Sequence, residues 1–334
     1  MKRTIAGLLA PVLLAAATVP ASAQAEWPDP DQAPAPAADM PLGSGPFPAI
    51  MEMQDSLPGQ TIYRPADLSA FDEAELPVVL WGNGACFNKG NAFRVFLTEI
   101  ASYGYTVIAL GPIEEGLPYY AYPAVPAPPK ANDRPAAPPA GPPAGEIQMP
   151  PGRTKSAQMI EAMDWLESDA AAGALEGKAD PARLGVMGMS CGGAQAIEAS
   201  ADPRVSTSMI WNSGLFPDGT DMAGGKMLTK DDVIAMQGPV AYISGDASDI
   251  AFANAEDDVD RLIAAGHPVF RGWQRGVGHG GNYSVLNGGE FAGVAIAWLD
   301  WQLKRDQGAS WMFRGEHCGL CANPRWETRA GNLE

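Results

Sequence analysis

The sequence predicts an α/β protein: a mainly parallel, doubly wound sheet with helices on both faces, in three layers. Three observations carry this expectation. Short apolar runs of strand length alternate with segments of helical period along most of the chain. The clearest runs, LPVVLWG and YTVIALG, are apolar almost throughout, as strands covered on both faces are. Hydrophobic residues make up 46% of the chain, which is the content of a globular protein with a substantial core.

The first 23 residues read as a secretory leader. Lys2 and Arg3 precede an almost wholly apolar stretch over 5–19, and Ala21-Ser22-Ala23 is a small-x-small cleavage site. That stretch is short for a membrane span. No cysteine follows the cleavage site for lipid attachment, and no later stretch is long and apolar enough to cross a bilayer. The expectation is an exported chain, periplasmic or secreted, with its mature start near Gln24. Residues 24–49, rich in Pro and Ala, read as a surface tether. A folded domain is expected over 50–310 and a C-terminal tail over 311–334.

Within the domain, TIYRP near residue 61 reads as a short strand and Val78 to Trp81 as a buried one ending in glycines. Phe93, Phe96, Leu97 and Ile100 fall at helical spacing, which predicts a helix from Asn91 to Tyr103 stopped by Gly104. YTVIALG is the next strand. The tract 117–152 then interrupts the pattern. Twelve of the 35 residues from Pro118 to Gly152 are proline, which excludes a helix or a central strand and leaves an extended, partly polyproline insertion. Tyr119, Tyr120 and Tyr122 at its start fit either a plain surface loop or a flap that touches substrate. Met159, Ile160, Met163 and Leu166 restore the helical period, and RLGVMGM is a strand leading to Ser190, with a helix after it. VSTSMIW, PVAYISG and PVFRGW are further strands, and a last helix covers roughly Gly289 to Leu303.

Composition narrows the function. Thirty-nine acidic against 22 basic side chains give a formal charge of −17, and removal of Lys2 and Arg3 makes it more negative. Such a surface repels phosphate backbones, so no nucleic acid is expected as a partner. The four cysteines, Cys86, Cys191, Cys318 and Cys321, are expected in disulfides in an exported protein. Three pairings exist, and the cysteine count does not choose among them.

The chemistry gathers at Gly188-Met189-Ser190-Cys191-Gly192. A serine hydroxyl needs a base, an acid that orients the base, and donors for an oxyanion. Small residues two before and two after Ser190 suit a tight strand-to-helix turn that presents a nucleophile. Of three histidines, His279 follows a strand in the glycine-rich GVGHGGNYS. His267 precedes a strand, which puts it at the opposite end of the sheet, and His317 lies in the tail. The acid is expected after PVAYISG, where Asp249 lies deeper in the loop and Asp246 is placed to cap the turn. Asp249 is therefore the expected acid. The resulting order is nucleophile, acid, base: Ser190, Asp249, His279.

The segments WGNGAC, GMSCGGAQA, SDIAFANA and VGHGG resemble the α/β-hydrolase superfamily over about residues 58 to 303. Within it the chain resembles a group of exported serine hydrolases, with more distant similarity to dienelactone-hydrolase-like, cutinase-like and polyester-cleaving enzymes. The resemblance implies a three-layer α/β-hydrolase fold and a Ser190–His279–Asp249 triad that cleaves small or polymeric carboxylic esters through an acyl-enzyme. It implies no metal and no organic cofactor. One oxyanion donor is expected to be the Cys191 amide and the other the amide of Asn83 or Gly84, with Trp81 where many lipases carry a histidine. Cys86 and Cys191 fall on loops at the carboxyl ends of neighbouring strands in this fold. A Cys86–Cys191 bridge is accordingly expected, with Cys318–Cys321 pinning the tail. No thioredoxin-like strand precedes Cys318-x-x-Cys321, which argues against a redox motif, and His317 with the two cysteines lacks a fourth zinc ligand. The rival readings are amide, thioester or acyl-transfer chemistry on the same triad, and a non-catalytic binding or redox protein of the same fold.

Overall fold

The computed structural model describes residues 43–115, 153–221 and 227–333. The leader, residues 24–42 of the expected tether and the whole proline-rich tract 117–152 lie outside the described residues. The described chain is a mixed α/β protein on one nine-stranded sheet, ordered β1-β2-β4-β3-β5-β6-β7-β8-β9. The strands are β1 (Ala49–Glu52), β2 (Gln60–Pro65), β3 (Leu76–Gly82), β4 (Thr106–Leu110), β5 (Ala179–Met189), β6 (Val205–Trp211), β7 (Val240–Gly245), β8 (Val269–Gln274) and β9 (Trp326–Gly331). The six strands from β4 to β8 in this order run parallel. β1 and β2 extend one edge antiparallel, and β9 closes the other.

The apolar runs become central strands because both of their faces are covered. Side chains alternate, with Val79, Trp81, Met187 and Ile243 on one face and Val78, Leu80, Val186 and Tyr242 on the other. The first face is covered by α1 (Arg94–Ser102) through Phe96, Leu97 and Ile100 and by α6 (Gly289–Gln302) through Phe291, Val294 and Trp298. The second is covered by α2 (Ala157–Leu166), α4 (Cys191–Ala199) and α5 (Phe252–Ala264) through Met159, Ile197 and Val259. Short helices α3 (Asp169–Ala174) and α7 (Gly319–Ala322) complete the set.

Three boundaries differ from expectation, each for a local reason. α1 starts at Arg94 rather than Asn91, because the Asn91 side chain is engaged elsewhere. Its Nδ2 donates to Glu114 O (2.9 Å) and its Oδ1 accepts from the Glu114 amide (3.0 Å). The end of the expected tether is docked, and β1 begins at Ala49 within it. Ser44 N and Gly45 N donate to Glu99 Oε2 and Ser102 Oγ on α1 (2.7 and 3.0 Å), and the Phe47 ring meets that of Phe71 at 4.5 Å. The tail over 311–334 is likewise no appendage, because β9 pairs with β8 from Val269↔Gly331 to Gln274↔Trp326.

Trp326 anchors that last strand. It is buried, its indole Nε1 donates to Glu290 Oε2 at 2.6 Å, and its ring packs against Phe291 on α6. Truncating a buried tryptophan leaves a cavity and here strips a buried carboxylate of a donor. Trp326→Ala is expected to cost about 3–5 kcal/mol, read as a lower urea midpoint at unchanged slope. A loss under about 1 kcal/mol would show that β9 is dispensable to the sheet.

Candidate active site

The predicted residues converge at the carboxyl ends of neighbouring parallel strands. Asn83 follows β3, Ser190 follows β5, Asp249 lies in the turn after β7, and His279 lies in the loop after β8. From β3 the chain builds β4 on one side and β5 to β8 on the other. The β3 and β5 ends therefore flank the point where winding reverses, and there diverging loops leave a crevice.

Ser190 holds φ 54° and ψ −118°, a conformation that costs a non-glycine residue energy. Its amide donates to Trp211 O (3.0 Å), its carbonyl accepts from Gly193 N (2.9 Å) and from Ser213 Oγ (2.7 Å), and α4 begins at the next residue. The flanking glycines have a steric cause. A Cβ at Gly188 would lie 2.1 Å from Gly192 O, and one at Gly192 would lie 2.0 Å from Gly82 O and 2.7 Å from Asn83 N. A Cβ at Gly84 would lie 2.6 Å from Met189 Sδ. Both residues named as the second oxyanion donor thus sit against the Ser190 turn.

His279 bridges the serine and the acid. Its Nε2 is 3.0 Å from Ser190 Oγ and its Nδ1 is 2.7 Å from Asp249 Oδ1. The imidazole is about a quarter exposed (27%) and the carboxylate is buried. Asp249 Oδ1 also accepts from Ala251 N (2.9 Å) and Oδ2 from Asn212 Nδ2 (2.8 Å). Burial, the largest influence, raises the Asp249 pKa. The hydrogen bond and charge of His279, with the Ala251 and Asn212 donors, outweigh it and hold the carboxyl below its ordinary value.

The alternatives weighed from sequence have other work. Asp246 Oδ1 accepts from Ser248 N and Oδ2 from Gly276 N, at 2.9 and 2.8 Å, tying the β7 turn to the loop that carries His279. His267 lies at the amino end of β8 with Nε2 2.7 Å from Met236 O, and His317 is exposed in the tail. Among the described residues no group of three or more His, Cys, Asp or Glu side chains is arranged to hold a metal ion. Among them, too, no helix is long and apolar enough to cross a membrane.

Cys86 and Cys191 are bonded, with Cα atoms 5.2 Å apart and a sequence separation of 105, and Cys318 pairs with Cys321. The first bridge is buried and joins the Asn83 turn to the residue after Ser190. Both described flanks of the proline-rich tract reach the same turn: Thr154 N donates to Cys86 O (2.9 Å), and Lys89 pairs with Glu114 (2.9 Å).

Two features escaped the sequence reading. The Asn83 side chain organises its own turn, with Nδ2 donating to Phe87 O, Lys89 O and Leu110 O (2.9, 3.1 and 2.6 Å) and Oδ1 accepting from Trp81 Nε1 (3.1 Å). Asn212, at the end of β6, is fully buried beside Asp249. Its signal is a polar residue directly after an apolar strand, as Asp246 is after β7.

Comparison with protein-family models and with curated proteins gives no match for this chain.

Two measurements follow from this geometry. Loop-closure entropy scales with the span closed, so replacing Cys86 and Cys191 together by serine is expected to cost about 4–5 kcal/mol, and replacing Cys318 and Cys321 about 2. Denaturant titrations of the two double variants compare them, and equal losses would contradict this ordering. Asp249 has a lowered folded-state pKa, so its contribution to stability is complete above the unfolded-state value and drains as pH falls through the folded one. The stability gap between wild type and Asp249→Asn should therefore narrow from pH 6 to pH 3. A constant gap would mean that the carboxylate charge contributes nothing.

Proposed function

We propose that the chain is an exported serine hydrolase of the α/β-hydrolase fold that cleaves carboxylic esters. The observation that carries this reading is the unbroken hydrogen-bond chain from Asp249 Oδ1 through both His279 nitrogens to Ser190 Oγ, with the serine at φ 54°. A histidine so placed takes the serine proton, and a buried carboxylate on its far nitrogen fixes the tautomer that does so.

In the proposed cycle Ser190 Oγ attacks the ester carbonyl carbon and its proton passes to His279 Nε2. Negative charge collects on the carbonyl oxygen, where the backbone amides of Cys191 and of Asn83 or Gly84 are the donors. The Cys86–Cys191 bridge and the glycine contacts hold the two donor strands at fixed separation, which is the preorganisation such a site needs. The α4 amino terminus adds a favourable dipole. Collapse of the intermediate breaks the ester C–O bond, and His279 returns the proton to the leaving alcohol. Water, activated by the same histidine, then releases the acid and regenerates Ser190.

Neutral esters fit the surroundings. Phe87, one residue past Cys86, and Ile250, one past Asp249, are exposed apolar side chains next in sequence to site residues, and the net charge of −17 disfavours anionic substrates. The bonded cysteines and the leader-like start support export.

A fluorophosphonate probe is expected to label Ser190 in the folded protein, and p-nitrophenyl acetate to be turned over. Ser190→Ala should abolish labelling and lower kcat by a factor on the order of 10⁶, since triad members act as a unit. Absence of label on Ser190 would sink the catalytic reading. Amide turnover above ester turnover would sink the ester assignment alone.

A further inference from the structure

The proposed triad leaves one buried polar group at its centre without a role. Asn212 directly follows β6, the strand between those that lead to Ser190 and Asp249, and is fully buried. Its backbone is left-handed at φ 42°, a conformation asparagine tolerates better than most residues, and its amide donates to Ile243 O on β7 at 2.8 Å. The side chain is thereby aimed across the carboxyl end of the sheet.

Each atom of that side chain meets a different part of the site. Nδ2 donates to Asp249 Oδ2 at 2.8 Å and to Gly278 O, the carbonyl just before His279, at 3.3 Å. Oδ1 accepts from the hydroxyl of Tyr283, four residues past His279. The partners settle the orientation of the amide. The nitrogen faces two acceptors and the oxygen faces a donor, so a flipped amide would set oxygen against the carboxylate and the carbonyl. Tyr283 is itself held, since its buried ring packs edge-on against Phe93, Phe96 and Phe291 at 5.2 Å each.

We propose that Asn212 is a positioning residue: one side-chain amide ties the Asp249 carboxylate to both sides of the His279 loop and so presents the imidazole to Ser190 in a single orientation. This rests on the serine-hydrolase reading for its consequence in catalysis, while the tie itself is a matter of geometry. The side-chain partners of Asn212 are Asp249, Gly278 and Tyr283, whereas the Ser190 hydroxyl is bonded to His279. Its effect therefore belongs to kcat, through the orientation of the base, and not to substrate binding. The ionisable groups facing position 212 are Asp249 after β7 and Tyr283 in the loop after β8, with His279 one bond further along the chain and Arg271 on β8 acting on Asp249 at longer range.

The test compares Asn212→Ala, Asn212→Asp and Tyr283→Phe with wild type in the full disulfide-bonded protein, each checked for folding by near-ultraviolet circular dichroism. Asn212→Ala is expected to lower kcat on p-nitrophenyl acetate about 10²-fold, with KM within about threefold. Tyr283→Phe, which keeps the ring, should lower kcat about fivefold, the scale of one hydrogen bond. In Asn212→Asp a second carboxylate faces Asp249, and like charges at this spacing do not both ionise freely. Its pH–kcat profile should gain an ionisation that wild type lacks, with activity falling as pH rises through it. Proton NMR supplies a readout independent of turnover: the low-field His279 Nδ1–H resonance should shift or broaden in Asn212→Ala and Tyr283→Phe. Wild-type kcat in folded Asn212→Ala and Tyr283→Phe, or a loss confined to KM, would overturn the proposal. Should Asn212→Ala not fold, Tyr283→Phe and Asn212→Asp decide the matter. An inactive wild type whose His279 resonance still moves in the variants would overturn the hydrolase reading and leave the positioning role standing. An unmoved resonance would remove that role.

Discussion

The site depends on one steric constraint, the contact between bare backbones at Gly82, Gly188 and Gly192. A β-carbon at any of the three would fall within 2.7 Å of another's backbone, a distance at which something must move. The contact presses the end of β3 against the turn that leaves β5, and these are the two strands between which winding reverses. Packing of this kind is available only where side chains are absent. It sets the distance between the Asn83 turn and Ser190, and the buried Cys86–Cys191 bond spans the same gap covalently. Noncovalent and covalent restraints therefore fix one dimension, the separation of two strand ends. That separation matters most if two amides from these strands must meet one developing charge.

Further along the same row of strand ends a second restraint acts. Asp249, Asn212 and the loop around His279 arise from three adjacent strands. They are joined by hydrogen bonds in which Asp249 and Asn212 are buried and the imidazole and Gly278 are partly exposed. In a water-poor interior such bonds gain strength, and an unpaired member would cost heavily. Asp246 adds a parallel tie from the β7 turn to Gly276. The acid that reads as a rival to Asp249 in the sequence is thus part of the support for the histidine loop.

Much of the fold is legible because its determinants are local. Apolar runs of six or seven residues can only be central strands when both faces are covered, and the periods of α1 and α2 are plain in the chain. The Gly188-x-Ser190-x-Gly192 spacing is legible because sterics at a tight turn act over five residues. β9 is not, because WETRAG mixes charge and small residues in the manner of an edge strand and its one buried anchor, Trp326, finds its partners Glu290 and Phe291 on α6. Asn212 and Tyr283 are hidden for a related reason. Each is a single polar group whose value lies in a partner 71 positions away in the chain, and no periodicity marks such a pair. The Asn83 amide shows the limit from the other side, since the sequence points to its backbone N–H while its side chain builds the turn that presents it.

The aromatic cluster under the site joins these observations. Tyr283 stands among Trp81, Phe93, Phe96, Trp211 and Phe291, drawn from β3, the approach to α1, α1 itself, β6 and α6. Trp81 also donates to Asn83 Oδ1, and Trp211 directly precedes Asn212. The same rings that fill one face of the core therefore hold both the Asn83 turn and the Asn212 amide. Interiors are close-packed, so a ring displaced within this cluster transmits its displacement to its neighbours. Mutations in this layer should not separate stability from site geometry. On the opposite face Met159, Ile197 and Val259 fill the second core, and two of the helices packed there, α4 and α5, begin directly after Ser190 and three residues after Asp249. The loops carrying Asn83 and His279 lead into α1 and α6 on one side of the sheet, and those carrying Ser190 and Asp249 lead into α4 and α5 on the other, so both core layers bear on the site.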